Sequence, residues 1–382
     1  MQRTPEAIAA ALQDLDARRL RRRREIASGA IDFCSNDYLG LASHPEVAAA
    51  MANHALEHGV GARASHLVNG HSAEHDALER ELAEFTGRER ALLFSTGYMA
   101  NLGVIGALAD RDDLVLQDKL NHASLLDAGL LARTRAFKRY PHGDAPTAAA
   151  LLAAHAGTTV LVTDGVFSMD GDLAPLPQLS AAATQRGAWL VVDDAHGLGV
   201  LGAAGGGCCE HFELDARAVP VLIGTLGKAF GTFGAFVAGD TDIVELVMQR
   251  ARTYRYTTAL PPAVAAATRT ALRLVRAERW RRSKLAESIA HFRDGARRRG
   301  IPLAASMTPI QPVMLGSAER ALAASRSLRE RGFDVVAIRP PTVPDGSARL
   351  RVTLSSRHEL AQLDALLNAL ESACAPIDSV AS

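Results

Sequence analysis

One pattern between residues 90 and 239 constrains the fold more than any other feature. Short runs of consecutive apolar residues alternate with stretches at helical spacing, and each run ends in a polar cluster. Runs open at Arg90, Leu114, Thr159, Trp189, Val219 and Ala235, and they predict six strands. A strand that is apolar throughout must be covered on both faces, which is how strands of a parallel sheet are placed. Strands joined by helices then give a doubly wound α/β sheet, with ligands outside the carboxyl ends of the strands. The polar clusters lie where such a ligand would sit.

The flanking regions read differently. Residues 5–24 predict a helix ending in the basic run Arg18-Arg-Leu-Arg-Arg-Arg-Arg24, which is either a solvated face or an anion clamp. Ile31 to Leu41 predicts a strand and a turn. Helices are expected over 45–58, where Pro45 suits the first turn, and from Ser72 as N-cap to Thr86. Gly59 to His71 is expected to be a loop. Residues 178–186 predict another helix, and after Pro261-Pro262 the chain is helical to about Arg299. Strands at 310–315 and 350–354 with helices at 318–331 and 358–371 predict a smaller α+β domain. The expected domains are an N-terminal arm (1–39), a large domain (40–275) and the C-terminal α+β domain (276–382).

Composition removes several function classes. The 382 residues are 48% apolar, with Lys+Arg and Asp+Glu both 42, so the chain is globular and has no charge excess that would favour nucleic acid. No apolar run is long enough to span a membrane. The four cysteines have neither metal-ligand nor disulfide spacing, and the polar, Arg-rich start lacks a secretory signal. These features predict a cytoplasmic protein without a metal site.

The polar clusters carry the chemistry. Lys228 lies between glycines just past the strand that ends at Thr225. A partly desolvated lysine can be a neutral amine and form a Schiff base with an aldehyde. Ser95-Thr-Gly-Tyr98 predicts a sharp turn into a helix, whose first N–H groups suit a phosphate. His122 precedes another helix, and Asp193 and His196 follow the Trp189 strand. Two look-alike motifs do not qualify. Gly197-Leu-Gly-Val-Leu-Gly202 has the letters of a dinucleotide fingerprint, but Ala203-Ala-Gly-Gly-Gly207 is a poor helix start, so NAD binding is not expected. Gly227-Lys228 lacks both the hydroxyl residue and the first glycine of a P-loop.

A lysine, a carboxylate, an imidazole and a phosphate turn at separate strand ends are what pyridoxal phosphate requires. The ordered set resembles the α-oxoamine synthases, which are fold-type-I pyridoxal phosphate enzymes. The motifs that carry the likeness are Ser35-Asn-Asp-Tyr-Leu-Gly40, Ser95-Thr-Gly-Tyr98, Asn121-His-Ala-Ser-Leu125, Asp164-Gly-Val-Phe-Ser168, Val192-Asp-Asp-Ala-His-Gly197, Thr225-Leu-Gly-Lys-Ala-Phe-Gly231, Tyr256-Thr-Thr258 and Ile338-Arg-Pro-Pro-Thr342 with Arg349-Leu-Arg351. Together they span nearly the whole chain. The resemblance implies a large domain with a mostly parallel seven-stranded sheet flanked by helices, a smaller α+β C-terminal domain and an N-terminal helical arm.

The resemblance also implies roles. Lys228 would hold the cofactor aldehyde and act as base, Asp193 would pair with the pyridinium nitrogen, and His196 with the phenolic oxygen near Ser168. Gly97, Tyr98 and Thr225 would bind the phosphate, and His122 would stack on the ring. Thr257 or Thr258 would reach the phosphate of a neighbouring subunit, making a homodimer with shared sites. Arg351 would take the amino-acid carboxylate, with Asn36 and Thr342 lining the pocket. Arg21, or any residue from Arg21 to Arg24, would meet the acyl substrate. The implied reaction is a decarboxylative condensation of L-alanine with a pimeloyl thioester on coenzyme A or an acyl-carrier protein. Glycine acetyltransferase, 5-aminolevulinate synthase and serine palmitoyltransferase share the cofactor chemistry and differ in the substrate pocket. Asp164 stands where the family more usually has glutamate, and the loop from Gly61 to Gly70 has fewer glycines than is typical.

Overall fold

Six parallel strands and one antiparallel strand build the sheet that organises the larger part of the computed structural model. The structure describes residues 4–374 except 19, 23, 25, 27 and 28. In chain order the strands are β1 (Ile31–Asp32), β2 (Arg90–Phe94), β3 (Leu114–Asp118), β4 (Ala136–Tyr140), β5 (Thr159–Asp164), β6 (Trp189–Asp193), β7 (Val221–Thr225), β8 (Ala235–Gly239), β9 (Ile310–Gly316), β10 (Phe333–Asp334), β11 (Val336–Ile338) and β12 (Ala348–Thr353). The large sheet has the order β2-β8-β7-β6-β5-β3-β4, with β8 antiparallel to both neighbours. All six strands read from the sequence are in it.

The seventh, β4, has no apolar run to betray it. It is an edge strand paired only with β3, and its Lys138 and Arg139 are exposed. Charges on an edge discourage pairing with another chain, so a strand like this need not look apolar. The central strands are buried on both faces. Val115, Val160, Val162, Val191, Val221, Ile223 and Val237 pack with Ala100, Val104 and Ile105 of the helix Gly97–Leu108 and with Val244 and Val247 of the helix Thr241–Arg250. This double burial is the physical counterpart of the unbroken apolar runs.

The chain forms two units: residues 36–168 with 172–285, and residues 1–35 with 169–171 and 286–382. The second unit has a three-stranded antiparallel sheet, β11-β12-β9, and a parallel pair in which Ile31 meets Phe333. Helices Ala318–Glu330 and Leu360–Cys374 pack there. The first helix is shorter than the sequence suggested. It covers Pro5–Ala17 and Arg18 is its C-cap, because a run of like charges gains little from continuing a helix that buries no residue. Arg19 and Arg23 of that run lie outside the described residues. Within the loop from Gly59 to His71 a single wide helical turn, His66–Gly70, adds structure that was not expected. Among the described residues no helix is long and apolar enough to cross a membrane.

Candidate active site

Four neighbouring strands, β7, β6, β5 and β3, end in Lys228, Asp193, Asp164 and His122 or run directly into them. Parallel strands put all four ends on one edge of the sheet, about 5 Å apart from strand to strand. Lys228 stands in the turn after β7. Thr232 N donates to Leu226 O (2.9 Å), and Gly231 N donates to Lys228 O (2.8 Å). Gly231 has a φ of +66°, and a Cβ there would lie 2.3 Å from Ala42 N, so only glycine closes this turn.

Lys228 Nζ lies 2.8 Å from His196 Nε2, and His196 Nδ1 lies 2.6 Å from the hydroxyl of Tyr38, which reaches Asn36 Oδ1 at 3.3 Å. One set of protons satisfies all three contacts: the amine donates to Nε2, Nδ1–H donates to the phenol oxygen, and the phenol donates to Asn36. Tyr38 and His196 are both buried, so this line holds the lysine at a fixed place. The sequence placed Asn36, His196 and Lys228 at the site but gave Tyr38 no role. Its signal was present: a tyrosine inside the Ser35–Gly40 motif.

A second network starts at Asp193. Asn101 Nδ2 donates to Asp193 Oδ2 (2.7 Å) and to Ser124 Oγ (2.8 Å), and Ser124 Oγ is 2.7 Å from His122 Nδ1. Ala195 N donates to Asp193 Oδ1 (3.1 Å). His122 N donates to Asp164 Oδ2 (2.6 Å), and Asp164 N donates to Asn121 Oδ1 (3.0 Å). Asp164 pairs in register with Asp193 on the next strand. Burial, and then the charge of Asp193, push the Asp164 carboxyl well above its ordinary range. Surrounding protein lowers the pKa of His122, although its ring is exposed at the sheet edge; Asp193 works the other way and Lys228 adds to the lowering. Asn101 and Ser124 were not singled out from the sequence. An asparagine in the otherwise apolar start of a helix was the signal for the first.

The look-alike glycines have a structural reason. Asp194 is completely buried, its Oδ2 accepts from Cys208 N (2.7 Å), and burial raises its pKa to about 7. A Cβ on Gly197 would lie 2.1 Å from Asp194 Oδ1, and one on Gly207 1.9 Å from Oδ2. Gly197 and Gly207 are glycines because the chain wraps this carboxyl; the helix that follows, Gly207–His211, has only five residues, and its Cys208 N already donates to Asp194, so it offers no free start to a pyrophosphate.

The remaining predicted residues divide between the two units. In the first unit, Thr96 caps the helix Gly97–Leu108 by accepting from Met99 N (3.2 Å), and a Cβ on Gly97 would meet nothing within 4 Å, so a ligand can approach the helix start closely. Tyr98 is exposed and its hydroxyl donates to Asp127. Thr225 Oγ1 donates to Gly234 O (3.2 Å), and Ser168 is half-buried. Thr258 O accepts from Ser95 Oγ (3.4 Å), and Thr257 is its neighbour. In the second unit, Arg351 is buried on β12 and donates to Thr353 Oγ1 (3.0 Å). Thr342 Oγ1 accepts from Arg22 (2.6 Å), while Arg21 pairs with Asp16 (2.6 Å). In the described chain, then, Arg22 reaches Thr342 and Arg21 does not.

An amine able to form a Schiff base, a buried carboxylate one strand away and an open helix N-terminus fit pyridoxal phosphate. Comparison with known proteins agrees. Residues 28–370 match the model for aminotransferase class I and II. The chain is 59% identical to the 8-amino-7-oxononanoate synthase of Methylococcus capsulatus, over 97% of this chain and 98% of that one. The chain belongs to the 8-amino-7-oxononanoate synthases. The synthase of Stutzerimonas stutzeri is 63% identical over 88% of this chain and 86% of that one. Among solved structures, serine palmitoyltransferase from S. paucimobilis with pyridoxal phosphate bound matches with a TM-score of 0.89 at 29% identity, covering 96% of each chain. The Francisella tularensis 8-amino-7-oxononanoate synthase matches with 0.79 at 31%, covering 91% of this chain and 98% of that one. The family is pyridoxal-phosphate-dependent, and the fold is that of the fold-type-I enzymes.

Proposed function

We propose that the chain makes 8-amino-7-oxononanoate for biotin synthesis by condensing L-alanine with a pimeloyl thioester, with loss of CO2 and of the free thiol. The observation that carries this reading is the meeting of Lys228, Asp193, Asp164 and His122 on four neighbouring strand ends. The identity of about 60% to synthases across most of the chain supports this product. Solved serine palmitoyltransferases match as well in shape, but at half that identity.

When bound, pyridoxal phosphate supplies an aldehyde for an amine and a ring that withdraws electrons from the adjacent carbon. Lys228 Nζ would hold that aldehyde and would serve as the base for the Cα proton of L-alanine. His196, 2.8 Å from Nζ, keeps the amine in place, and together with Ser168 it would hold the phenolic oxygen of the cofactor. Asp193 would pair with the pyridine nitrogen and keep a proton there. Gly97 and Tyr98 would give backbone N–H groups, and Thr225 a hydroxyl, to the phosphate. His122 would lie against the ring and assist the loss of carboxylate. Arg351 would take the alanine carboxylate, Asn36 and Thr342 would contact substrate, and Arg21 or a neighbouring arginine would meet the acyl substrate on coenzyme A or a carrier protein. The enzyme works as a homodimer in which Thr257 or Thr258 serves the neighbouring site, and exposed Phe233 and Tyr256 support a covered face there.

The test is the visible spectrum of the purified protein with added L-alanine, glycine or L-serine. L-alanine should change the absorbance of the bound cofactor, and pimeloyl-CoA should then yield 8-amino-7-oxononanoate by mass spectrometry. Absence of a visible band would remove the cofactor from the site. A response to glycine with none to alanine would assign the chain to another branch of the family.

A further inference from the structure

Asn101 ties together two groups that no strand joins. It lies one turn into the helix Gly97–Leu108 and is 1% exposed. Its single amide nitrogen donates to Asp193 Oδ2 at 2.7 Å and to Ser124 Oγ at 2.8 Å, so both of its N–H bonds are used. An ionised carboxylate only accepts, so the nitrogen and not the oxygen must face Asp193, and this fixes which way the amide points. Its Oδ1 has no partner among the described residues. A buried polar atom left in that state is unfavourable, which marks the position as one where the donors matter.

The direction of the remaining protons follows. Ser124 Oγ accepts from Asn101 and lies 2.7 Å from His122 Nδ1. Because the backbone N–H of Ser124 is directed at Nδ1, at 3.3 Å, and makes it an acceptor, the serine hydroxyl supplies the proton of that contact. A ring nitrogen that accepts carries no proton, so neutral His122 holds its proton on Nε2. We propose that Asn101 is a positioning residue that couples the ring-nitrogen carboxylate to the ring-stacking imidazole: one amide keeps Asp193 an acceptor and, through Ser124, locks His122 as the Nε2–H tautomer. The proposal rests on the reading that Asp193 and His122 flank pyridoxal phosphate. It adds a single origin for their proton pattern, analogous to the way an outer hydrogen bond fixes the tautomer of a metal-bound histidine.

The test uses the holoenzyme with 15N-labelled histidine rings, and His122 is assigned by comparison with His122→Gln. The long-range proton–nitrogen spectrum should show His122 as the Nε2–H form. Asn101→Leu keeps the volume and removes both donors; the ratio of Nε2–H to Nδ1–H should fall roughly five-fold, as expected for one lost hydrogen bond. The visible band of the cofactor should move in the same variant, because Asp193 has lost a donor. Ser124→Ala removes the hydroxyl link between Asn101 and His122 and leaves only the longer backbone contact from Ser124 N, so the Nε2–H to Nδ1–H ratio should fall while the band stays. Because Asn101→Leu alters a buried site, Ser124→Ala decides the matter if the first variant does not fold. An Nδ1–H form in the unaltered enzyme, or an unchanged His122 spectrum in Ser124→Ala, overturns the proposal. If the unaltered protein takes up no pyridoxal phosphate, the reading of the cofactor site fails instead, and the tautomer comparison still decides the role of Asn101.

Discussion

His142→Gln should weaken the larger unit in a way that depends on pH. His142 lies after β4, with Nδ1 3.1 Å from Asp118 Oδ1 and Nε2 2.8 Å from Asp172 Oδ2. It therefore clamps the end of β3 to the turn that carries Ser168, where Val166 bridges to Leu173. The two carboxylates raise its pKa from 6.5 to about 10, against burial. That shift corresponds to an upper limit of about 5 kcal/mol for the charged form. His142 and Asp172 are 28% and 33% exposed in their side chains, so solvent screens part of it. Asp118 keeps Leu120 N and Gly143 N, both at 2.8 Å, when the imidazole is gone. The expected loss is therefore about 2 kcal/mol near pH 7. The folded pKa is the higher one, so the stabilisation is complete below about pH 6.5 and disappears as pH rises through about 10. Urea denaturation of both proteins between about pH 6 and 11 measures the gap. Equal stability near pH 7, or a gap that persists unchanged at about pH 11, would refute this account.

Two further variants probe the site and the glycines around it. Lys228→Ala should still take up pyridoxal phosphate, more weakly, yet lose turnover, as followed by the visible spectrum and by product formation; full activity would end the mechanism. Gly197→Ala should cost about 2–4 kcal/mol in chemical denaturation, because its methyl must displace the buried Asp194 carboxyl. An unaltered stability with a lost affinity for NAD would instead restore the dinucleotide reading of that motif.

Features that depend on residues close in sequence were legible in advance. Unbroken apolar runs require burial on both faces, so the six strands, the parallel sheet and the edge that carries the chemistry could be read directly. Lys228, Asp193, His196 and His122 were visible because polar groups at the ends of such runs are anomalous there. The spacing of Gly97 and Thr96 likewise announced a helix start. The edge strand β4 was not legible, because a strand with one free side does not have to be apolar. Nor was the end of the first helix at Ala17, where the basic run stops helix growth without any Gly or Pro to mark it.

The local sequence by itself determined the layered fold and the groups that reach its functional edge, since both follow from periodicities of a few residues. Tertiary structure decided how those groups hold one another. Asn101 and Asp193 are 92 residues apart and Tyr38 and His196 are 158 apart, and no spacing rule connects them. Tertiary structure also decided that Gly197 and Gly207 enclose Asp194 instead of a nucleotide, and that Arg22 rather than Arg21 contacts Thr342. The physical reason is the same in each case: a hydrogen bond depends on distance and direction in space, and those are set only after the sheet has brought remote segments together.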